Sequence, residues 1–365
     1  MTNPYKELND FCFWSRGMQR PHPGQIDPVT KFSPILPSQK VATMGSCFAQ
    51  HLAKHIKSSG LNYYVPESAP IDMNEITATQ KNYGVFSGRY GNVYTVKQAL
   101  QLFERAFGEF SPIDDVWEIN GRFVDAFRPQ IDPDGYDSVE SVRNDAVNHL
   151  CYVREIFSNA DWLIFTLGLT EAWRSKLDGA IYPLAPGVAG GKFESSKYEF
   201  VNFSCEEVQA DLSLLIQKIQ KINPTIQILL TISPVPLIAT YENRHVWVST
   251  TYSKSALRVA ADAIERKFNN VIYFPSYEII TSPTSGGMYY SDDLRQITEI
   301  GVNHVMRMFS KHFIQKKSPN SLFQDDSISD LFNKSLPSVQ MSKTAEFDIV
   351  CDEEVIEKSL RESGY

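Results

Sequence analysis

The chain has 365 residues, with 35 Lys and Arg against 43 Asp and Glu, which gives a formal charge of −8 at pH 7. Apolar residues make up 42% of the sequence, and the mean hydropathy is −0.26. This composition predicts a globular protein, and the net negative charge argues against a general nucleic-acid binder. The sequence contains no apolar run long enough to span a membrane. The five scattered cysteines form no CxxC pair, and no signal-peptide pattern opens the sequence, so we expect a cytoplasmic protein without a disulfide framework.

Residues 1–39 contain several prolines and predict an irregular arm that packs on the body of the protein through residues such as Trp14. The first regular elements are a buried strand at 41–44 and a helix at 48–58. Gly45-Ser46-Cys47 joins them, and Ser46 is well placed as the N-cap of the helix.

Further apolar patterns follow in alternation. Continuous apolar runs predict buried strands at 161–167, 227–232 and 270–274, and amphipathic spacing predicts helices at 95–107, 138–158, 206–222, 251–267 and 298–314. Asn120-Gly121 between apolar flanks predicts a hairpin over 117–127. The alternation predicts an α/β fold with a mainly parallel sheet covered on both faces, in a domain that spans 40–316. Residues 317–365 are polar and predict a tail that is mobile or weakly docked.

Ligands of open parallel sheets bind beyond the carboxyl ends of the strands, so the residues that follow each strand are the candidates. After the first strand, Cys47 lies in the first turn of a predicted helix, where free N–H groups would lower the pKa of its thiol and could hold an oxyanion. A buried, inert cysteine in a small-residue turn is the alternative.

The other strand ends also carry functional groups. Gly168 and Thr170 could donate to an oxyanion, although Thr170 could instead cap a short helix with Glu171 in its first turn. His245 lies in a long predicted loop, where it could act as a base or remain a surface histidine. Asp293 precedes the last helix, which contains His304 and which Thr298 is expected to cap. An aspartate there could orient a histidine, or it could simply interact favourably with the helix dipole.

The string Met44-Gly45-Ser46-Cys47-Phe48-Ala49 matches the signature that names the GSCFA domain family, a branch of the SGNH (GDSL-like) hydrolase superfamily. The resemblance extends over about residues 4 to 315. It also includes the strings NPYKELNDFCFW, SGRYGNVYT, FTLGLTEAW, PLAPGVAGG, SPVPLIATYENRHVWVSTTYSKSALR and YFPSYEII. The resemblance implies a three-layer α/β/α sandwich of the flavodoxin-like type.

The resemblance also implies roles for particular residues. The nucleophile of the superfamily aligns with Cys47, or with Ser46 after a shift of one residue. Gly168-Leu169-Thr170 corresponds to the oxyanion motif Gly-x-Asn, with Thr in place of Asn. The further oxyanion candidates are Gly88, Gly91 and Asn92.

The chain departs from the superfamily at the acid–base motif. The superfamily has Asp-x-x-His, whereas the matching string here is Asp293-Leu294-Arg295-Gln296. Glutamine does not accept a proton, so His245 or His304 would have to replace the missing histidine.

We therefore expect an SGNH-like acyl-ester hydrolase or O-acyltransferase with a small-molecule or glycan ester as its substrate and no cofactor. A non-catalytic ligand-binding module on the same scaffold is the alternative, because the base is missing from its usual place. A metal-dependent hydrolase using His51 and His55 is less favoured, since no HExxH motif is present. The sequence leaves the oligomeric state open.

Overall fold

A computed structural model of the chain describes residues 3–315, 349 and 351–362. The strands within this part are β1 (Lys40–Gly45), β2 (Asn62–Tyr63), β3 (Val116–Ile119), β4 (Arg122–Asp125), β5 (Trp162–Leu167), β6 (Glu171–Ser175), β7 (Ile181–Tyr182), β8 (Tyr198–Asn202), β9 (Gln227–Ile232) and β10 (Val271–Tyr273). The helices are α1 (Trp14–Gly17), α2 (Ala49–Ser58), α3 (Glu75–Gln80), α4 (Val96–Ala106), α5 (Val139–Asn159), α6 (Cys205–Ile222), α7 (Val246–Lys267), α8 (Ser276–Thr281), α9 (Glu299–Phe313) and α10 (Glu354–Glu362).

The central sheet is parallel and has the strand order β2-β1-β5-β9-β10. Successive side chains of a strand point to opposite faces, and β5 supplies both hydrophobic cores: Leu163 and Phe165 pack into one, Trp162 and Ile164 into the other. Helices α4 to α7 cover the first face, and α2, α8 and α9 cover the second. The predicted α/β fold, a three-layer sandwich with a parallel sheet, is confirmed.

The hairpin predicted from Asn120-Gly121 is present as β3 and β4. Asn120 and Gly121 have φ values of 51° and 77°, as a tight turn between antiparallel strands requires. A second antiparallel sheet, β7-β6-β8, was not predicted. It replaces the short helix considered after Thr170, because Glu171 to Ser175 pair with β8.

The amino-terminal arm contacts the body through aliphatic residues. Val29 and Ile35 are buried, and the Ile35 N–H donates to Phe313 O at 2.7 Å. Trp14, which the sequence indicated as a contact, is 70% exposed. Within the described residues, no helix is long and apolar enough to cross a membrane.

Most of the predicted tail lies outside the described residues. The segment 351–362, which we call the terminal segment, is described and includes α10. Its first three residues are buried against the body, each with 9% or less of its surface exposed. This contact brings the end of the chain to the carboxyl edge of the central sheet.

Candidate active site at the carboxyl edge of the sheet

The neighbouring strands β1 and β5 end side by side. Numbered by their order along the chain, the five parallel strands lie 2-1-3-4-5 across the sheet, so the winding reverses between β1 and β5, where ligands of such sheets bind. Gly45 ends β1 with a φ of 131°, and a Cβ atom there would lie 2.2 Å from Thr166 O. Only glycine fits this close approach, which lets the chain turn out of the sheet beside β5.

Cys47 lies in the turn between β1 and α2 and is 5% exposed. The N-cap of α2 is Phe48, which makes no side-chain cap, so the prediction that Ser46 caps this helix is wrong. The buried Ser46 Oγ has no hydrogen-bond partner among the described residues. Ser46 and Cys47 line the same cavity, and the hydroxyl and the thiol are therefore both candidate nucleophiles.

Lys254, to which the sequence analysis assigned no role, lines this cavity from α7. It is 2% exposed, and its Nζ donates to Gly168 O at 2.7 Å. Burial lowers the pKa of Lys254 to about 8. About a tenth of such an amine is neutral at pH 7, and a neutral amine beside a thiol can serve as a general base.

The terminal segment closes the cavity. The Glu353 carboxylate lies 3.2 Å from Arg295 Nη2, and the Glu353 N–H donates to Tyr94 Oη at 3.2 Å. The remaining space, lined by Cys47, Lys254 and Glu353 among others, is about 10 Å³. This is room for about one water molecule, so the closed cavity does not admit an acyl ester.

Cys351 of the terminal segment contacts Cys47. The hydrogen bond with Cys351, together with burial, raises the pKa of Cys47 well above its ordinary value. The same bond lowers the pKa of Cys351, whose Sγ lies 3.4 Å from Arg295 Nη2. The predicted lowering of the Cys47 pKa by the helix terminus is wrong for this arrangement, because a partner thiol and the loss of water outweigh the helix dipole.

The predicted oxyanion donors after β5 already have partners. The Gly168 N–H donates to Tyr94 O at 3.1 Å, and the Thr170 N–H donates to Ser253 Oγ at 2.9 Å. The Glu171 carboxylate accepts a hydrogen bond from Thr240 Oγ1 at 2.7 Å and so ties the loop after β9 to β6. These groups are therefore engaged in contacts within the protein, and of the three residues only Gly168 lines the cavity of Cys47.

Gly91 and Asn92 lie where a carboxylate is bound. The Asn92 N–H donates to Asp352 Oδ2 at 3.1 Å, and a Cβ atom at Gly91 would lie 3.4 Å from the same oxygen. Burial raises the pKa of Asp352. The backbone N–H at this turn therefore already donates to a buried carboxyl oxygen, as an oxyanion donor would.

Neither candidate histidine lines the cavity of Cys47. His245 is the N-cap of α7, which begins five residues earlier than predicted, and its Nδ1 accepts the Trp247 N–H at 3.1 Å. His304 is buried in α9, where Nδ1 contacts Tyr289 Oη and Nε2 contacts Ile26 O, both at 2.8 Å. Both ring nitrogens of His304 are thus engaged: Nε2 joins α9 to the amino-terminal arm, and Nδ1 joins it to the segment that precedes the helix.

The segment that aligns with Asp-x-x-His supplies a cation instead of a base. Asp293 is exposed, and its Oδ1 accepts the N–H groups of Arg295 and Gln296 at 3.0 and 2.9 Å. This turn directs the Arg295 side chain inward to Glu353, whereas Gln296 is exposed.

The histidine pair on α2 has other contacts. His55 Nε2 lies 2.6 Å from Ser310 Oγ, and burial lowers the pKa of His51 to about 4. Among the described residues, no group of three or more His, Cys, Asp and Glu side chains could hold a metal ion.

Two residues at the site were missed for different reasons. Lys254 lies three residues before Leu257 on the buried face of α7, and a lysine at such a position is a signal that the sequence does contain. Arg295 has no comparable local signal, because its carboxylate partner Glu353 is 58 residues away in sequence.

The fold and the cleft define a flavodoxin-like α/β protein with a thiol and an amine at the switch point of its sheet. The profile of the GSCFA family matches residues 40–309, which is more than half of the chain. The chain belongs to the GSCFA family, an SGNH-like branch, as its motif strings indicated.

Two solved structures similar to this chain are esterases of carbohydrates. A carbohydrate esterase of family 3 from Talaromyces cellulolyticus is 9% identical, with a TM-score of 0.33, and the match covers 75% of this chain and 95% of that one. An acetyl-xylooligosaccharide esterase from Geobacillus Stearmophilus, in a single-residue variant, is 12% identical, with a TM-score of 0.31 and coverage of 78% and 100%. No curated protein matches the chain.

Proposed function

We propose that the protein is an acyl-transfer enzyme that cleaves an ester and passes the acyl group to water or to a hydroxyl group of a carbohydrate. The observation that carries this proposal is the shared cavity of Cys47 and Lys254 at the switch point of the sheet. A buried amine with a lowered pKa next to a thiol is a nucleophile–base pair of the kind that acyl transfer needs.

In the first step, the neutral Lys254 amine takes the proton of the Cys47 thiol, and the thiolate attacks the ester carbonyl carbon. A C–S bond forms and the C–O bond of the ester breaks, while the departing alkoxide takes the proton back from Lys254. Water or a sugar hydroxyl then attacks the thioester, with Lys254 as base again, and the Cys47 thiol is restored. Lys254 takes the role that the sequence analysis assigned to His245 or His304.

The oxyanion of each tetrahedral intermediate would be held by backbone N–H groups. The Cys47 N–H precedes the first turn of α2, and the Asn92 N–H already donates to a carboxylate oxygen. Both donors are fixed by the fold, which is the condition for electrostatic stabilisation of the transition state.

Exposed aromatic residues near the cleft support a carbohydrate as the substrate. Trp247 at the start of α7 is 75% exposed, and Tyr241 in the preceding loop is 65% exposed. Val246, next to Trp247, packs against Tyr94 and Leu237 of the cavity wall. Aromatic rings at such a rim can stack on the apolar faces of sugar rings.

The proposal is tested with a chromogenic acetyl ester and mass spectrometry of the trapped acyl-enzyme. We expect turnover and an acetyl group on the peptide that contains Cys47, with both lost in Cys47→Ala and retained in Ser46→Ala. Turnover that survives in Cys47→Ala but not in Ser46→Ala would transfer the nucleophile to Ser46.

A ligand-binding module remains the second candidate, and it is favoured by the absence of His245 and His304 from the lining of the cavity. Absence of turnover with acetyl esters, sugar esters and acyl thioesters, in a chain that still binds a ligand in the cleft, would replace the enzyme by this module.

A further inference from the structure

The carboxylate partners of Arg295 lie on one short stretch of chain. In the part of the chain that is described, its guanidinium pairs with Glu353 at 3.2 Å and with Glu354 at 3.8 Å, both in the terminal segment. The Arg295 side chain is only 13% exposed, and its Nε donates to Pro236 O at 3.3 Å. A cation with so little access to water needs a counter-ion, and the terminal segment supplies it; departure of the segment would leave Arg295 without these carboxylates.

Lys254 adds a second positive group to the same cavity. Its Nζ is bound to a neutral carbonyl oxygen, Gly168 O, while the Glu353 carboxylate lines the cavity and favours the charged amine. The Cys47 thiol supplies no negative charge in this arrangement, since its pKa is raised well above the ordinary value, and Cys351 belongs to the terminal segment itself. Without the terminal segment, the Arg295 guanidinium would keep its charge but lose its carboxylate partners, and the Lys254 amine would remain beside it as a hydrogen-bond donor.

The terminal segment contributes a second buried carboxylate. Asp352 Oδ2 accepts the Asn92 N–H at 3.1 Å, and Asp352 O accepts Gln130 Nε2 at 3.1 Å. Burial raises the pKa of Asp352 and of Glu353, which reflects the cost of removing these carboxylates from water. The body of the protein thus provides a partner for each of the two buried carboxylates: Arg295 for Glu353 and the Asn92 N–H for Asp352.

We propose that the cleft beside Cys47 is a binding site for a ligand that carries a carboxylate, and that residues 351–353 of the same chain occupy it in place of that ligand. The terminal segment has to move before such a ligand reaches Cys47, because the space that remains holds about one water molecule. If the ligand is the substrate, the inference rests on the proposed acyl transfer. The acyl donor or the acceptor of that reaction would then carry a carboxylate. The binding itself is measured below without ester turnover.

Two alkylating reagents that differ by one group test the proposal on the full-length chain. Iodoacetate carries a carboxylate where iodoacetamide carries an amide, and peptide mass spectrometry gives the alkylation rate of Cys47 for each. The exposed Cys12 is the internal reference in the same sample. The variant Asp352→Asn/Glu353→Gln weakens the terminal segment, and Glu357→Gln is the matched control, since that carboxylate is exposed on α10 and pairs with Arg361.

We expect Cys47 to be alkylated at least about tenfold faster in the double variant, because a hydrogen bond to a charged group is worth that factor, and no faster in the control. In the double variant, the iodoacetate-to-iodoacetamide rate ratio of Cys47 should exceed that of Cys12, and adding Arg295→Gln should abolish the excess. An unchanged Cys47 rate would refute occupation by the terminal segment. A faster rate with the same ratio as Cys12 would refute the preference for a carboxylate.

A measurement on the unmodified chain covers the case in which the double variant does not fold. Succinate should increase amide hydrogen exchange in residues 354–362, whereas neutral succinamide should not, because only succinate competes for Arg295. Equal exchange with both compounds would overturn the proposal. If no ester is turned over but these results hold, the binding site stands and the proposed acyl transfer falls.

Discussion

Replacing Lys254 by methionine should make the protein more stable and less active. Burial lowers the pKa of Lys254 from 10.5 to about 8. Each pKa unit corresponds to about 1.4 kcal/mol, so keeping this ammonium charged at pH 7 costs about 3 kcal/mol of folding free energy. Loss of the hydrogen bond to Gly168 O offsets about 1 kcal/mol, which leaves a net gain of about 2 kcal/mol for Lys254→Met.

The sign of the pH dependence follows from the same shift. Because the pKa is lower in the folded than in the unfolded chain, the unfolded chain binds more protons between about pH 8 and 10.5, and stability rises with pH in that window. The advantage of Lys254→Met should therefore be full below about pH 8 and disappear near pH 10.5. Urea denaturation at pH 7 and pH 10 measures both values.

Ester turnover should change in the opposite direction. Lys254→Met should lower kcat by about 10²- to 10⁴-fold, since a general base is lost. In the unmodified enzyme the rate should rise about tenfold per pH unit below pH 8, as the neutral fraction of the amine grows. Lys267→Met, at the exposed end of the same helix, is the control: it should leave the activity unchanged and should lower the stability by about 1 kcal/mol, because the hydrogen bond to Ser213 Oγ at 2.6 Å is lost. A Lys254→Met variant that keeps its activity, or that is less stable at pH 7, would refute this reasoning.

Three smaller perturbations follow from contacts in the same structure. Gly45→Ala should destabilise the fold by about 3 kcal/mol or more, because the added Cβ would clash with the neighbouring strand. Gly60 also has a positive φ but lies in open space, so Gly60→Ala should cost about 1 kcal/mol. Thermal melting of both variants measures the difference. His304→Ala should cost about 1–3 kcal/mol in urea denaturation with the pH–rate profile unchanged, and a shifted profile would restore His304 as a candidate base. Thr298→Ala should cost about 1 kcal/mol, because it removes the side-chain cap of α9; an unchanged denaturation midpoint would contradict that role.

The local pattern of the sequence was sufficient for the central sheet. Buried parallel strands are continuous apolar runs, and the runs at 161–167 and 227–232 lie within one residue of β5 and β9. The Asn120-Gly121 turn was also predictable, because few residue pairs adopt the positive φ angles that it needs. The small sheet β7-β6-β8 was not, since β7 has only two residues and β6 pairs with β8, which lies more than 20 residues further along the chain.

The motif at the end of β1 located the candidate nucleophile without any structure. Cys47 follows a buried strand and precedes a helix, and this position placed it at the carboxyl edge of the sheet. Gly45, two residues earlier, is required by the close contact with β5. The sequence did not determine the ionisation of this thiol, because the pKa depends on which groups surround it and on the loss of water.

Tertiary structure alone decided what faces Cys47. The predicted histidines lie elsewhere: His245 caps α7 at the surface, and His304 joins α9 to the amino-terminal arm. Lys254, Arg295 and Glu353 meet in the cleft because α7, the turn before α9 and the terminal segment converge there, although they are far apart along the chain. Local periodicity specifies strands and helices, but contacts between such distant segments are set by packing, and the chemistry of this site is made of those contacts.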